Sequence, residues 1–209
     1  MLEVRYGTAA KSHENTFFRK FAQSLKKYFD SHDMTGILLG FPICRVREDL
    51  QIDALLITDR TMIIIDFKDY SGTLTLPNEA NFKKGAWKMS SGLTVKGGSS
   101  PNPFYQLGLQ RDRLANILRM TAKNLTKFDP KHISTVVCFT EPVEVDGSIP
   151  GRLKLSFFIA NSESYLEKLF DIMNVEEDSR DLLSDDFVEF LNSKLFKSNP
   201  YDCFIIPEN

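Results

Sequence analysis

The stretch QIDALLITDRTMIIIDFKDY, residues 51–70, contains two apolar runs, and each run has an aspartate at its outer end. Apolar runs of this length, separated by a few polar residues, predict two buried strands joined by a turn. Aspartate is rare in strands, and it is costly to bury without a partner. The stretch therefore predicts a hairpin whose open end carries Asp53 and Asp66, with Lys68 two residues further on.

The register of this hairpin decides whether the two carboxylates meet. A turn at Asp59–Arg60 pairs Thr58 with Thr61, and the same register pairs Asp53 with Asp66. Their Cβ atoms would then lie about 5 Å apart on one face of the sheet. The alternative is that the strands fray before Asp53 and after Asp66, which would leave both carboxylates in solvent.

Facing carboxylates need a partner of opposite charge. At an effective dielectric constant of about 20, two such charges repel each other by roughly 4 kcal/mol, so a proton, a cation or a lysine must lie between them. Lys68 emerges on the same face as Asp66 because strand side chains alternate. A divalent metal ion would satisfy two carboxylates directly, whereas in the frayed alternative Lys68 forms only a surface ion pair.

A further carboxylate falls in the helix that apolar spacing predicts over residues 13–30. Glu14 lies three, four and seven residues before Phe17, Phe18 and Phe21, so it shares their apolar face. A charge is unusual on such a face unless it has a partner. The alternative is an acid of the first helical turn, where the helix dipole favours negative charge.

The rest of the chain alternates strands and helices. Further strands are predicted at residues 36–44, 51–58, 61–68, 72–76, 86–89, 93–97, 133–140 and 155–160. Further helices are predicted at residues 101–125, 162–173 and 179–196, the first opened by Asn102 as N-cap and Pro103 at its first position. This order predicts an α/β fold with a mixed central β-sheet flanked by helices.

The chain has 209 residues, 42% hydrophobic and 26% charged, the composition of one soluble domain or of one domain with an appendage. Its longest apolar runs hold about five residues, too few to cross a membrane, and its start lacks the pattern of a secretory signal. Three histidines without an HExxH pattern argue against a histidine-rich metal site. Three widely spaced cysteines, Cys44, Cys138 and Cys203, predict reduced thiols in a cytoplasmic protein.

Charge is distributed unevenly, although the net charge is only −2. Ten basic and two acidic residues lie between Asn81 and Lys131, whereas four basic and twelve acidic residues lie between Asn161 and Asn209. The basic middle predicts a surface for a polyanion such as nucleic acid. The alternative is two solvated faces of opposite sign.

Together these elements resemble the PD-(D/E)xK nuclease superfamily and, within it, the nuclease-related NERD domain. The resemblance covers roughly residues 8–125 and lies in five elements in order: Glu14, IDALLIT (52–58), IIIDFKDYSG (63–72), Trp87 and NPFYQ (102–106). Asp66 stands where the family more often has glutamate. The glycine often found near the helical glutamate is absent, because Ser12 and His13 precede Glu14.

The resemblance implies a restriction-endonuclease-like core over residues 1–130, with the strands and acidic helices of 131–209 completing or appended to the same domain. It implies Mg²⁺ or Mn²⁺ held by Asp53, Asp66 and the backbone carbonyl of Phe67, with Glu14 as a further ligand or as the residue that orients the metal water. Lys68 would hold or deprotonate the attacking water, or stabilise the transition state.

Gln106 would lie near this metal, on one helix face with Gln110 and Arg113; the alternative is a helix-surface amide. Trp87 and Tyr105 could stack on bases, although the core is the favoured place for Trp87. The predicted contacts with the nucleic-acid backbone are Lys83, Lys84, Lys88, Arg111 and Arg113.

The function that follows is a metal-dependent nuclease hydrolysing phosphodiester bonds in DNA, without a membrane partner. The alternative is a non-catalytic DNA-binding or partner-positioning module with a nuclease-like fold, acting beside a helicase or other DNA-processing partner.

Overall fold

The computed structural model describes residues 1–7, 12–174 and 178–205, without the side chains of residues 12–15. The helices are α1 (Ser12–Ser31), α2 (Pro103–Thr121), α3 (Tyr165–Met173) and α4 (Asp185–Glu189), with a π-helix at Phe190–Leu195 and 3₁₀ turns at Glu79–Asn81, Pro130–His132 and Gly151–Leu155. The strands are β1 (Leu2–Tyr6), β2 (Gly36–Gly40), β3 (Ile43–Cys44), β4 (Ala54–Ile57), β5 (Met62–Lys68), β6 (Gly72–Thr75), β7 (Trp87–Met89), β8 (Thr94–Val95), β9 (Ser134–Phe139), β10 (Val143–Asp146), β11 (Phe157–Ala160), β12 (Phe196–Lys197) and β13 (Asn199–Pro200).

Seven strands form the central sheet, in the order β11-β9-β5-β4-β2-β1-β13. The middle strands β2, β4 and β5 are antiparallel to one another, whereas β9 runs parallel to β5 and β1 runs parallel to β2. Strands from both ends of the chain therefore lie in one mixed sheet. The predicted α/β fold with a mixed central sheet and flanking helices is confirmed.

Two apolar cores cover the two faces of this sheet. Helices α1 and α3 pack on one face, against residues such as Leu38, Leu56 and Ile65. Helix α2 and a smaller sheet, in the order β10-β6-β7-β8, pack on the other face, against residues such as Leu55 and Ile64. Neighbouring residues of one strand thus face different layers, as strand geometry requires.

The predicted hairpin register is confirmed. Strands β4 and β5 pair Ala54 with Ile65 and Leu55 with Ile64. The turn is closed by Thr58 and Thr61, whose hydroxyl oxygens lie 2.8 Å apart. Asp53 directly precedes β4 and Asp66 lies in β5 next to Ile65, so the two aspartates lie at the open end of the hairpin.

Glycine allows α1 to approach the sheet closely. A Cβ atom at Gly40 would lie 2.2 Å from the ring of Phe18, so no larger residue fits there without moving the helix. The aromatic residues of α1 thereby pack directly on β2 and hold the helix beside the hairpin. None of the helices in the described ranges combines the length and the apolar character that crossing a membrane requires.

Two predicted elements are wrong in their extent. The strand predicted at 36–44 breaks after Gly40, because Phe41 has a left-handed backbone with φ of 44° and Pro42 follows. The helix predicted at 179–196 starts only at Asp185, because Asp181 has φ of 59° and Arg180 hydrogen bonds to other loops. Strands β1, β10, β12 and β13 were not predicted from the sequence.

Candidate functional site

Asp53 and Asp66 lie side by side on the face of the hairpin that is turned toward α2. Asp66 is 2% exposed, and Asp53 is partly exposed. The backbone N–H of Phe67 donates a hydrogen bond of 2.8 Å to Oδ2 of Asp53. This contact fixes the Asp53 side chain across the open end of the hairpin, so the frayed alternative, with both carboxylates in solvent, is excluded.

The carbonyl of Phe67 faces the same space. In a strand, the N–H and C=O groups of one residue point to the same side. The N–H of Phe67 is directed at Asp53, and the carbonyl of the next residue, Lys68, accepts a hydrogen bond from Thr140 on the opposite side. The Phe67 carbonyl is therefore directed toward the Asp53 side of β5, as a third oxygen near the pair.

Lys68 provides the positive charge beside the two aspartates. Its Nζ lies 3.0 Å from Oδ1 and 2.8 Å from Oδ2 of Asp66, and its side chain is 12% exposed. It also donates a hydrogen bond of 3.3 Å to Oε1 of Gln106 in α2. Gln106 is thus a half-buried partner of Lys68, and the reading of it as a plain surface amide is excluded.

Burial and like charge disturb both carboxyl groups. Burial, followed by the charge of Asp66, raises the pKa of Asp53 to about 8, although the Phe67 N–H and Lys68 act in the opposite direction. Burial also raises the pKa of Asp66, and the ammonium group of Lys68 opposes that effect. One lysine therefore does not neutralise the pair at neutral pH, and the site retains affinity for a proton or a cation.

The donor set suits a hard divalent cation. Two carboxylates and a backbone carbonyl are ligands of the oxygen class that Mg²⁺ and Mn²⁺ prefer. Oδ2 of Asp66 is buried, and the ammonium of Lys68, 2.8 Å away, occupies only one side of this oxygen. Such an atom has lone pairs left for a metal ion. The side chain of Glu14, the predicted fourth ligand, lies outside the described residues.

Helix α2 is fixed against the hairpin by polar side chains of one face. After Gln106, the amide Nε2 of Gln110 donates a hydrogen bond to the carbonyl of Gln51 at 2.5 Å. Arg113 donates to the carbonyl of Asp49 at 2.8 Å and forms an ion pair of 3.2 Å with its carboxylate. The predicted shared face is confirmed, and it holds Gln106 in place beside Lys68.

The start of α2 is fixed by Asn102, which is fully buried. Its Oδ1 accepts from the N–H of Tyr105 at 2.9 Å, and its Nδ2 donates to the carbonyls of Phe82, Lys83 and Gly85. The predicted N-cap is confirmed, and the same side chain also fixes the loop over residues 82–85.

Gly97 allows the loop before α2 to reach Gln106. A Cβ atom there would lie 2.2 Å from the carbonyl oxygen of Asn102 and 2.9 Å from Cβ of Gln106. This close approach brings the neighbours Lys96 and Gly98 to the site.

The carboxylate pair opens into a cleft of about 1030 Å³ at the end of the central sheet. Phe17 and Lys20 of α1 line it on one side, and Lys96 and Gln106 line it on the other. Its remaining wall comes from late parts of the chain, at residues 140–141, 162 and 165. The cleft thus collects residues from both layers around the end of β5.

The five basic residues predicted to contact nucleic acid lie outside this cleft. Lys83, Lys84 and Lys88 are exposed, and Lys84 lines a separate shallow depression with Tyr105. Arg113 is engaged by Asp49, as described above, and Arg111 lies 3.5 Å from Asp112. Trp87 is fully buried, so the prediction that it belongs to the core is confirmed.

Lys20 and Lys96 line the cleft but were not predicted as site residues from the sequence. Lys20 lies three residues after Phe17, at helical spacing, and Lys96 immediately precedes the Gly97–Gly98 pair. Helical spacing places Lys20 beside Thr16, which also lines the cleft, but nothing in the sequence marks this side of α1 as part of the site. The position of Lys96 depends on how the loop packs on α2, which the sequence does not reveal.

Comparison with known proteins identifies the family. Searches of curated proteins and of solved structures found no match to the chain. A family model described as the nuclease-related domain, NERD, matches residues 11–140, a segment that contains the hairpin, the loop before α2 and α2 itself. The match spans more than half of the chain, and the chain therefore belongs to the nuclease-related domain family.

Proposed function

We propose that this protein is a metal-dependent nuclease that hydrolyses phosphodiester bonds in DNA. The observation that carries the proposal is the facing pair of Asp53 and Asp66, whose charge Lys68 alone does not neutralise. Two adjacent carboxylates with one lysine between them, one of the carboxylates buried, destabilise the fold when they are both charged. A role in binding a cation accounts for its presence.

Mg²⁺ or Mn²⁺ would be held by Asp53, Asp66 and the carbonyl of Phe67, with Glu14 as a further ligand or as the residue that orients the metal water. When bound, such an ion lowers the pKa of a water molecule and neutralises charge on the phosphate. The ligands are pre-positioned because the hairpin register and the Phe67 N–H fix them before an ion arrives.

Lys68 and Gln106 would act on the reacting atoms from the chain itself. The ammonium of Lys68 would hold or deprotonate the attacking water, or stabilise negative charge that develops on the phosphate. Its hydrogen bond to Gln106 and its ion pair with Asp66 restrict where that charge can lie. Exposed Lys83, Lys84 and Lys88 would add backbone contacts to DNA beyond the cleft.

The test combines metal binding with cleavage. Calorimetry should show Mg²⁺ or Mn²⁺ binding to the wild-type protein and none to Asp66→Ala. A cleavage assay with supercoiled plasmid, linear duplex and single-stranded DNA should show cleavage that follows metal binding. A wild-type protein that binds neither ion and cuts none of these substrates refutes the nuclease.

A second candidate is a non-catalytic DNA-binding module that positions a partner such as a helicase. It is supported by the family match, because a nuclease-related fold does not by itself require turnover. In that case the protein would bind DNA without cleaving it, in the presence or absence of Mg²⁺.

We also propose that residues 131–209 complete the domain whose core is 1–130, because β9, β11 and β13 lie in the central sheet.

Three buried, unpaired thiols, Cys44, Cys138 and Cys203, support a reducing, cytoplasmic location.

A further inference from the structure

We infer that the cleft takes a single strand of nucleic acid, with Lys20 and Lys96 contacting the phosphates on either side of the one held at the carboxylate pair. The inference rests on the proposed nuclease function. It adds the kind of strand that the site accepts and two residues that hold it.

The two lysines belong to opposite layers of the protein. Lys20 lies in α1, which covers one face of the central sheet. Lys96 directly follows β8, in the layer that covers the other face. Both line the same cleft as Asp66, which lies in the sheet itself. A strand that crosses the end of the sheet between them passes over the carboxylate pair.

Both lysines are available to a ligand. Each is exposed, and the ion pairs of lysines within the described ranges involve Lys68, Lys127, Lys131 and Lys168 instead. The cleft also contains acidic Asp69 and Glu141, so an anionic strand needs positive contacts on each side of the metal site. Lys20 and Lys96 supply those contacts.

The size of the cleft favours one strand over two. Pockets of about 300–1,000 Å³ enclose drug-sized ligands, so a cleft of about 1030 Å³ has room for only a few nucleotides. Asp66, at 2% exposure, lies at its base. In a duplex the bases are enclosed in the stack, so only its outer phosphates could enter such a cleft. A separated strand can bend its phosphate inward.

The walls of the cleft suit unpaired bases. Phe17, Phe67 and Tyr70 line it, and all three are partly exposed. Phe17 and Phe67 pack edge to face with their ring centroids 5.0 Å apart, and both pack against the core on the α1 side of the sheet. Bases stack on such side chains without regard to sequence, and stacking requires bases that are not enclosed in a duplex.

The test measures binding without cleavage. The host protein is the Asp53→Asn/Asp66→Asn variant, in which neutral amides replace the opposed carboxylates and no metal ion is needed. Fluorescence anisotropy with an oligothymidine of about 12 nucleotides, and with a hairpin duplex of the same length, should show the single strand binding at least about tenfold more tightly. Circular dichroism verifies that this variant is folded. If the variant is unfolded, the binding measurements use wild-type protein with Ca²⁺ instead.

Charge removal then tests the two lysines. Lys20→Gln and Lys96→Gln should each weaken single-strand binding at least about threefold and reduce the slope of log affinity against log salt by about 0.7. The matched controls are Lys27→Gln, seven residues after Lys20 in α1, and Lys123→Gln, just after α2. Both lysines are exposed and lie outside the cleft. Neither control should change the affinity or the slope.

The inference and the nuclease can fail separately. Equal losses in the control variants, equal binding of the duplex, or no binding of the single strand overturns the inference. Cleavage is measured apart from this, with wild-type protein and Mg²⁺. Selective binding that depends on Lys20 and Lys96 without any cleavage would refute the nuclease alone, whereas equally fast cleavage of duplex and single strand would refute the inference alone.

Discussion

Asp53 gives the metal-free protein an unusual dependence on pH. Its pKa is about 8 in the folded protein, against about 3.9 for an aspartate in an unfolded chain. The folded state therefore binds more protons between these values, and stability falls as pH rises through them. Each pKa unit of difference corresponds to about 1.4 kcal/mol.

Urea unfolding in EDTA should therefore show wild-type stability decreasing between about pH 5 and about pH 8. Asp53→Asn should flatten this decrease and should be more stable than wild type at the upper end. Asp59→Asn, in the turn of the same hairpin, is the control and should keep the wild-type dependence. Wild-type stability that rises over this interval would contradict the proposed charge state.

Lys68 should matter to turnover more than to metal binding. Removing the ammonium in Lys68→Met leaves the oxygen ligands in place and removes a cation that competes for Asp66. We expect nicking to fall by about 100-fold or more, with Mg²⁺ affinity unchanged or higher in calorimetry. Lys27→Met is the control for the loss of a lysine. If Lys68→Met loses metal binding and cleavage together, Lys68 shapes the metal site instead.

At the scale of single residues, the sequence predicts which side chains of the site lie together when one pair of strands brings them there. Asp53, Asp66 and Lys68 follow from alternation and from a single turn, because both are local properties. The ion pair of Arg113 with Asp49 did not follow from the sequence, because the two residues are distant in the chain. Contacts between distant segments depend on how layers pack, and no spacing in the sequence encodes them.

Among the elements, α2 depends on the buried side chain of Asn102. Asn102→Ala removes the cap of the helix and leaves the carbonyls of Phe82, Lys83 and Gly85 without their donor. We expect a loss of about 2–4 kcal/mol in the free energy of unfolding, from the cap and the unsatisfied carbonyls together. Urea unfolding measures it.

Asn78 provides the matched control, because it caps the exposed 3₁₀ turn at Glu79–Asn81 through a hydrogen bond of 3.1 Å. Asn78→Ala should cost about 1 kcal/mol or less, since water can replace that bond. Equal losses in the two variants would show that burial of Asn102 adds nothing.

The elements themselves were predictable where local signals agree. The Asn102–Pro103 pair and the apolar period of α1 both predict helix starts close to those observed. The break in the strand predicted over 36–44 could not be predicted from local signals, because the left-handed turn at Phe41 is stabilised by distant partners. The N–H of Phe41 donates to the carbonyl of Asp53 at 2.7 Å, and its ring packs against Phe18.

At the scale of the whole molecule, the acidic last third is part of the packing. Leu169 and Ile172 of α3 are buried on the α1 face, Cys203 is fully buried there too, and β13 pairs with β1. A protein ending after Ala160 should therefore lose cooperative unfolding and near-ultraviolet circular dichroism. A truncated protein that melts cooperatively and cleaves faster than wild type would instead identify the last third as an inhibitory segment.

The overall arrangement of the strands and helices was only partly predictable from the sequence. Alternating strands and helices predict a mixed sheet with flanking helices, but the order of the strands depends on long-range pairing. The pairing of Arg5 in β1 with Pro200 in β13 joins the two ends of the chain. Short strands such as β12 and β13 carry too few residues for a pattern to identify them.

The turn closed by Thr58 and Thr61 also has a consequence for how the chain folds. Contacts between segments that are close in the chain form early, whereas those of Gln106 or Lys96 with the hairpin must wait for distant segments. We therefore expect the two carboxylates to approach each other when the hairpin forms, before the distant segments pack on it. Stopped-flow refolding should accordingly be faster at acidic pH than at neutral pH, and Asp53→Asn should abolish that difference in rate.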